Sequence, residues 1–144
     1  MEKTFHMLLY RAFHAQRAVL RPHMAKLGLG PGQPKLLSYL ASEGPSRQKQ
    51  LADYFEVDPA AVSRMVENLK RGGFVTGRTD ESSRRCELIE LTERGRDAST
   101  AWAGYCRELE ERMLRGFDAS EREQFAEFLA RAGRNLRTRE ADTE

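Results

Sequence analysis

Glycine and proline cut residues 28–73 into short pieces, each too short to be stable as an isolated helix. This punctuation constrains the fold more than any other feature of the chain. Gly28, Gly30, Pro31 and Gly32 close a preceding segment, and Pro34 fits the first turn of a helix carrying Leu36, Leu37 and Leu40. Gly44 and Pro45 stop that helix. Ser46 is then a candidate N-cap for a short helix burying Leu51, Ala52 and Phe55. Asp58 and Pro59 restart the helix as cap and first helical residue, and Val62, Met65, Val66 and Leu69 form its apolar stripe until Gly72 and Gly73 end it. Three short helices must therefore share one core, with a tight turn between the last two.

The flanks differ in period. From Thr4 to Leu27, Phe5, Leu8, Leu9, Ala12, Phe13, Val19, Leu20, Met24 and Leu27 follow the three-and-four spacing of one helical face. Phe74 to Thr79 and Cys86 to Leu91 are short and rich in β-branched and apolar residues, which predicts a hairpin with Asp80 to Arg85 as a long charged tip. Thr92 is placed to cap a long helix with Ala98, Trp102, Tyr105, Cys106, Leu109 and Met113 on one face, ending at Gly116. A last helix begins after Asp118 or Ser120, each with a glutamate three residues on, and is expected to bury Phe125, Phe128, Leu129, Ala132 and Leu136. Residues 139–144 form a polar tail.

Composition excludes several classes. At 144 residues the chain predicts one domain, 1–144, able to bury a core without a metal or disulfide. The apolar run Met7 to Tyr10 is too short for a signal peptide core or a spanning helix, so no membrane association is expected. Cys86 and Cys106 match neither a metal pair nor a disulfide framework, which predicts a cytoplasmic protein. His6, His14 and His23 are too far apart for a helical metal pair, and no strand precedes Gly28 to Gly32 to make a phosphate loop. No enzyme, catalytic residue, metal or cofactor is expected. The net charge of +2 hides a gradient: residues 1–45 carry 6 Lys/Arg and 2 Asp/Glu (+4), 46–85 carry 8 and 6 (+2), and 86–144 carry 10 and 14 (−4). The last part is therefore a poor candidate for contact with a polyanion.

Helix, turn, helix and basic hairpin form the plan of a winged helix-turn-helix, in which the second helix enters a major groove. Its exposed face would offer Pro59, Ala60, Ala61, Ser63, Arg64 and Asn68, small near the N-terminus for close approach and then able to donate hydrogen bonds. Gln48 and Lys49 at the start of the preceding helix join the candidate DNA-binding set. Arg84 and Arg85 at the tip, with Arg78 near its base, would suit the narrow, electronegative minor groove. Each arginine could instead be an ordinary solvated charge, and Arg64 could pair with Glu67 or Glu56.

At this point the chain resembles the MarR/SlyA family of transcriptional regulators. The stretches that carry the resemblance are LGPGQPKLLSYL from Leu29, QLADYFEVDPAAVSRMVENL from Gln50, GGFVTGR from Gly72 and DESSRRCELIELTERG from Asp80. Arg64 matches the family's recognition-helix arginine, and Arg84 and Arg85 match its wing-tip basic pair. Ser83 departs from the family pattern, which has an acid there, so the wing would either be less rigid or depend on Asp80. The resemblance implies a mainly α fold with a small β-hairpin wing. It implies a DNA-reading lobe at 31–92 and dimerisation helices at 1–28 and 93–138. It further implies a homodimer on double-stranded DNA, usually a repressor of a palindromic operator, released by a small aromatic or lipophilic effector or by thiol oxidation. A winged-helix module that binds protein is the competing class.

On the first helix His6, Tyr10, His14, Arg17 and Arg21 fall along one edge beside the apolar face. His6, Tyr10, His14 and Arg17 are candidate effector ligands, and the alternative is a solvated helix edge.

Overall fold

The structure is a computed structural model describing residues 4–138, and the expected tail at 139–144 lies outside the described residues. The elements are α1 (Phe5–Lys26), α2 (Gln33–Glu43), β1 (Ser46–Arg47), α3 (Gln48–Phe55), α4 (Pro59–Arg71), β2 (Val75–Asp80), β3 (Ser83–Leu91), α5 (Glu93–Met113) and α6 (Ala119–Arg137). This is the expected fold class, mainly helical with a small antiparallel sheet. Two compact units divide within α5, one reaching Leu109 and one starting at Glu110.

In the first unit the punctuated segments share one core. Pro34 sits in the first turn of α2, and the Gly44 N–H closes its end on the Leu40 carbonyl. The Asp58 carboxylate accepts from the Ala60 N–H at 2.9 Å, and Pro59 opens α4. Leu36, Leu37, Leu51, Val62, Val66, Leu69 and Ile89 are fully buried, so α2, α3, α4 and β3 close on one another. Each such side chain contributes about 1.5–3 kcal/mol through burial. His23 of α1 stacks on Tyr105 of α5 with ring centroids 4.0 Å apart.

The joint after the wing is close-fitting. The Thr92 hydroxyl donates to the Gly73 carbonyl at 2.6 Å and accepts from the Gly95 N–H at 3.1 Å, capping α5 as expected. Arg94 lies over the Phe74 ring, 4.4 Å from its centroid, and donates to the Gly72 carbonyl at 2.6 Å. A Cβ at Gly95 would run into the Phe74 carbonyl oxygen, so only glycine lets α5 start this near the end of α4.

Three expectations are corrected. Ser46 does not cap α3. With Arg47 it forms β1, which pairs antiparallel with β3 (Ser46↔Ile89, Arg47↔Leu88) and turns the hairpin into a sheet of order β1-β3-β2. Ser46 is buried and its hydroxyl donates to the Gly44 carbonyl at 2.9 Å, while Gln50 Oε1 accepts from the Arg47 N–H at 2.8 Å and closes the first turn of α3. A two-residue strand has no period of its own, so only its partner defines it.

The wing also lacks the expected long tip. Asp80 Oδ1 accepts from both the N–H and the hydroxyl of Ser82, at 3.0 and 2.8 Å, and this local turn lets the strands run to Asp80 and Ser83. The turn residues are Glu81 and Ser82. Pairing then jumps from Asp80↔Ser83 to Thr79↔Glu87, so Arg84, Arg85 and Cys86 oppose no residue of β2 and form a bulge in β3.

The third correction concerns α6 in the second unit. Asp118 and Glu121 form a reciprocal capping box at 2.8 and 3.0 Å, which selects Asp118 over Ser120 as the cap. The apolar row beyond it is not buried: Phe125 is 42%, Phe128 60%, Leu129 45% and Leu136 88% exposed. In α1, likewise, no residue is buried, and Phe5, Leu8, Leu9 and Phe13 are exposed. Among the described residues nothing buries these two faces.

Candidate nucleic-acid interface

The hydrophobic stripe of α4 points its other face outward. Val62, Val66 and Leu69 are buried, whereas Pro59, Ala60, Ser63, Arg64 and Asn68 are exposed, and Ala61 is half-buried. Arg71 extends the exposed row by one more turn and was not among the sequence candidates. Glu67 lies 3.8 Å from Lys70 rather than pairing with Arg64. Lys49 is exposed and Gln48 half-buried, both in the first turn of α3.

On the wing, Arg84 and Arg85 are exposed within the β3 bulge, not at the turn. Neither they nor Arg64 make a hydrogen bond or ion pair among the described residues. Arg78 differs: its Nε is 3.2 Å from Glu90 Oε2 across the β2–β3 pair, so its charge is already answered.

Two ion pairs that sequence reading did not anticipate hold the wing against the helices. Arg47 donates through Nε and Nη2 to Asp80 Oδ2 at 2.9 and 2.6 Å, joining β1 to the end of β2. This hydrogen bond, with those from Ser82, holds the Asp80 carboxyl down at about 2. Lys70 of α4 donates to Glu87 of β3 at 2.6 Å, and the bond raises the lysine's pKa. Glu87 reaches across β2 at Gly77, where any Cβ would collide with the carboxylate. Dependence on Asp80 was one of the two alternatives open from sequence, and its partner Arg47 lies 33 residues away and carries no sequence signal.

Of the candidate effector ligands, Arg17 lines a cleft formed by described residues. That cleft, about 710 Å³, lies in the first unit between Phe13, Arg17, Leu20, Arg21 and Met24 of α1, Pro31, Pro34 and Lys35 around the start of α2, and Trp102 of α5. His6, Tyr10 and His14 do not line it. They are exposed on α1, with Tyr10 and His14 stacked on each other at 6.0 Å. The lining is largely aromatic and aliphatic, and Arg17, Arg21 and Lys35 bring positive charge to it. No group of three or more His, Cys, Asp or Glu placed to hold a metal occurs among the described residues, and no described helix is long and apolar enough to cross a membrane.

Comparison with known proteins agrees with this geometry. The MarR family model matches residues 27–85. The transcriptional repressor NicR of Pseudomonas putida is 30% identical over 115 residues, covering 80% of this chain and 73% of that protein. Among solved structures, the transcriptional regulator SlyA superposes with a TM-score of 0.84 at 21% identity, over 93% of this chain and 94% of the other. The MepR–DNA complex of S. aureus gives a TM-score of 0.83 at 20% identity, over 93% and 97%. The two structural likenesses establish the winged-helix fold, and the relatives of known role are regulators rather than enzymes. The chain belongs to the MarR family of transcriptional regulators.

Proposed function

We propose that this protein is a homodimeric, DNA-binding repressor of a palindromic operator, with 31–92 as its DNA-reading lobe and 1–28 and 93–138 as its dimerisation helices. The observation that carries the reading is the exposed face of α4, small at Ala60 and hydrogen-bonding at Ser63, Arg64 and Asn68, on a fold whose wing presents Arg84 and Arg85, guanidiniums unpaired among the described residues. Small residues admit the backbone to the groove, Arg64 and Asn68 have the donors and acceptors to read base edges, and the wing arginines neutralise phosphate or enter the minor groove. MepR is a DNA-bound example of the fold, and NicR is a repressor. Gln48, Lys49, Pro59 and Ala61 flank the same face and act as lesser contacts, while Arg78 contributes less because Glu90 already answers its charge.

A mobility shift on the promoter DNA adjoining its own gene tests the reading. A retarded complex that random DNA does not compete away, and that weakens steeply with salt, is the expected outcome. Equal affinity for random and promoter DNA would sink the repressor reading, and no shift at all would favour the protein-binding module.

The cleft beside α1 is the proposed effector site. Its apolar walls and three cations fit a small aromatic carboxylate, with Arg17 taking the carboxylate and Trp102 and Phe13 the ring. Such a compound should raise the melting temperature of the wild type but not of Arg17→Ala, because only binding to the folded state stabilises it.

A further inference from the structure

Arg47 and Lys70 are cations on the lobe proposed to meet DNA, and simple counting would assign both to phosphate contacts. Their geometry assigns something else. Arg47 is spent on Asp80, whose side chain is only 13% exposed, and Lys70 on Glu87. These two acids bracket the bulge: Asp80 pairs with Ser83 on one side of Arg84 to Cys86, and Glu87 follows on the other. The segment that carries the two exposed arginines therefore has no β2 partner of its own, and is fastened at each end to a different part of the helix-turn-helix. One fastening reaches β1 at the head of α3. The other reaches the last turn of α4, the helix proposed to read bases. Gly77 adjoins the second fastening, because a Cβ there would push the Glu87 carboxylate from the place where it meets Lys70.

We infer that Arg47–Asp80 and Lys70–Glu87 are wing-positioning pairs that set where Arg84 and Arg85 lie relative to α4, so that two acids on the proposed DNA-binding lobe promote binding. A bulge without ladder partners has many backbone arrangements available, and ion pairs at both ends reduce them before DNA arrives, lowering the ordering cost of association. The inference rests on the DNA-binding reading above.

The sign of an acid-to-amide exchange tests it. Asp80→Asn and Glu87→Gln each remove a negative charge, which by electrostatics alone should tighten binding to a polyanion. Positioning predicts the reverse: each should weaken operator binding, about two- to fivefold for an exposed pair. Asp80→Asn combined with Arg47→Ala should lose little beyond either alone. Hydrogen exchange on the DNA-free proteins supplies a second readout, with the amides of Arg84, Arg85 and Cys86 exchanging faster in the variants while the melting temperature stays close to that of the wild type. Variants that fold yet bind as tightly as the wild type, or more tightly, overturn the inference and return Arg47 and Lys70 to phosphate contacts. A wild type that fails to bind promoter DNA sinks the DNA-binding reading instead, and unaltered exchange at the bulge would then sink the clamp separately.

Discussion

Arg64→Ala should weaken binding to the true operator more than to random DNA, by about 1–3 kcal/mol if the guanidinium meets a base edge. Titration of both DNAs in a mobility-shift assay checks this, and equal loss on the two would make it a phosphate contact. Asp80 supplies a pH signature at the same scale. Its folded pKa, about 2, lies below the ordinary carboxylate range, so what its pair with Arg47 adds to stability is whole at neutral pH. That contribution should fade only as pH falls below the ordinary aspartate value toward about 2. Following the Asp80 carboxyl carbon by NMR tests this, and a midpoint at the ordinary aspartate value would mean that the wing is not clamped there. The identity of Arg64, Arg84 and Arg85 as candidates was legible in sequence because they stand at fixed offsets from glycines and apolar stripes. Arg47 was not, because an arginine beside a helix start looks the same whether or not an aspartate comes to meet it.

At the scale of elements, the joint between wing and α5 makes the sharpest demand. Glycine to alanine in a helix ordinarily gains up to about 1 kcal/mol from propensity. At Gly95 the new methyl would meet the Phe74 carbonyl, which the Thr92 N–H and the surrounding turn hold in place. Overpacking of this kind costs about 1–3 kcal/mol, so Gly95→Ala should lower stability on balance in urea denaturation. A variant as stable as the wild type would show that α5 can start further away at no cost. The long helices α1, α5 and α6 were legible because their apolar residues recur at the helical period over ten residues or more, and the short ones because glycine, proline and caps bound their apolar stripes. The wing was legible only in outline: its turn is local, made by Asp80 binding Ser82, but its bulge follows from strand pairing, which no local pattern records.

For the whole molecule, the bare rows on α1 and α6 are the dominant fact. Phe5, Leu8, Leu9 and Phe13 on one, and Phe125, Phe128, Leu129 and Leu136 on the other, leave more apolar surface in water than a single folded chain usually tolerates. A two-fold dimer is the commonest way to cover such faces. It would set two α4 helices toward major grooves about 34–36 Å apart, which makes the operator an inverted repeat. Ending the chain at Phe117 should therefore yield an unfolded protein or a monomer with far weaker affinity for a full operator than the intact chain. Sedimentation of both forms, with mobility shifts on half and full sites, decides it. A soluble monomeric truncation that keeps full operator affinity would refute the dimer.

The amino-acid sequence by itself determined the order and kind of the helices, their stops at Gly44 and Gly72, and the outward row on α4, because each depends on neighbours within a few turns. It also contained the MarR resemblance, carried by those same local motifs. Tertiary structure decided that Ser46 and Arg47 complete a sheet, that Arg84 and Arg85 ride a bulge instead of a tip, and that Arg17 lines a cleft which His6, Tyr10 and His14 do not share. Each of these depends on groups far apart in the chain, whose meeting is set by core packing and hydrogen-bond satisfaction. The same holds for the expected burial of α6, where periodicity identified an apolar face but nothing local could say whether this chain would cover it.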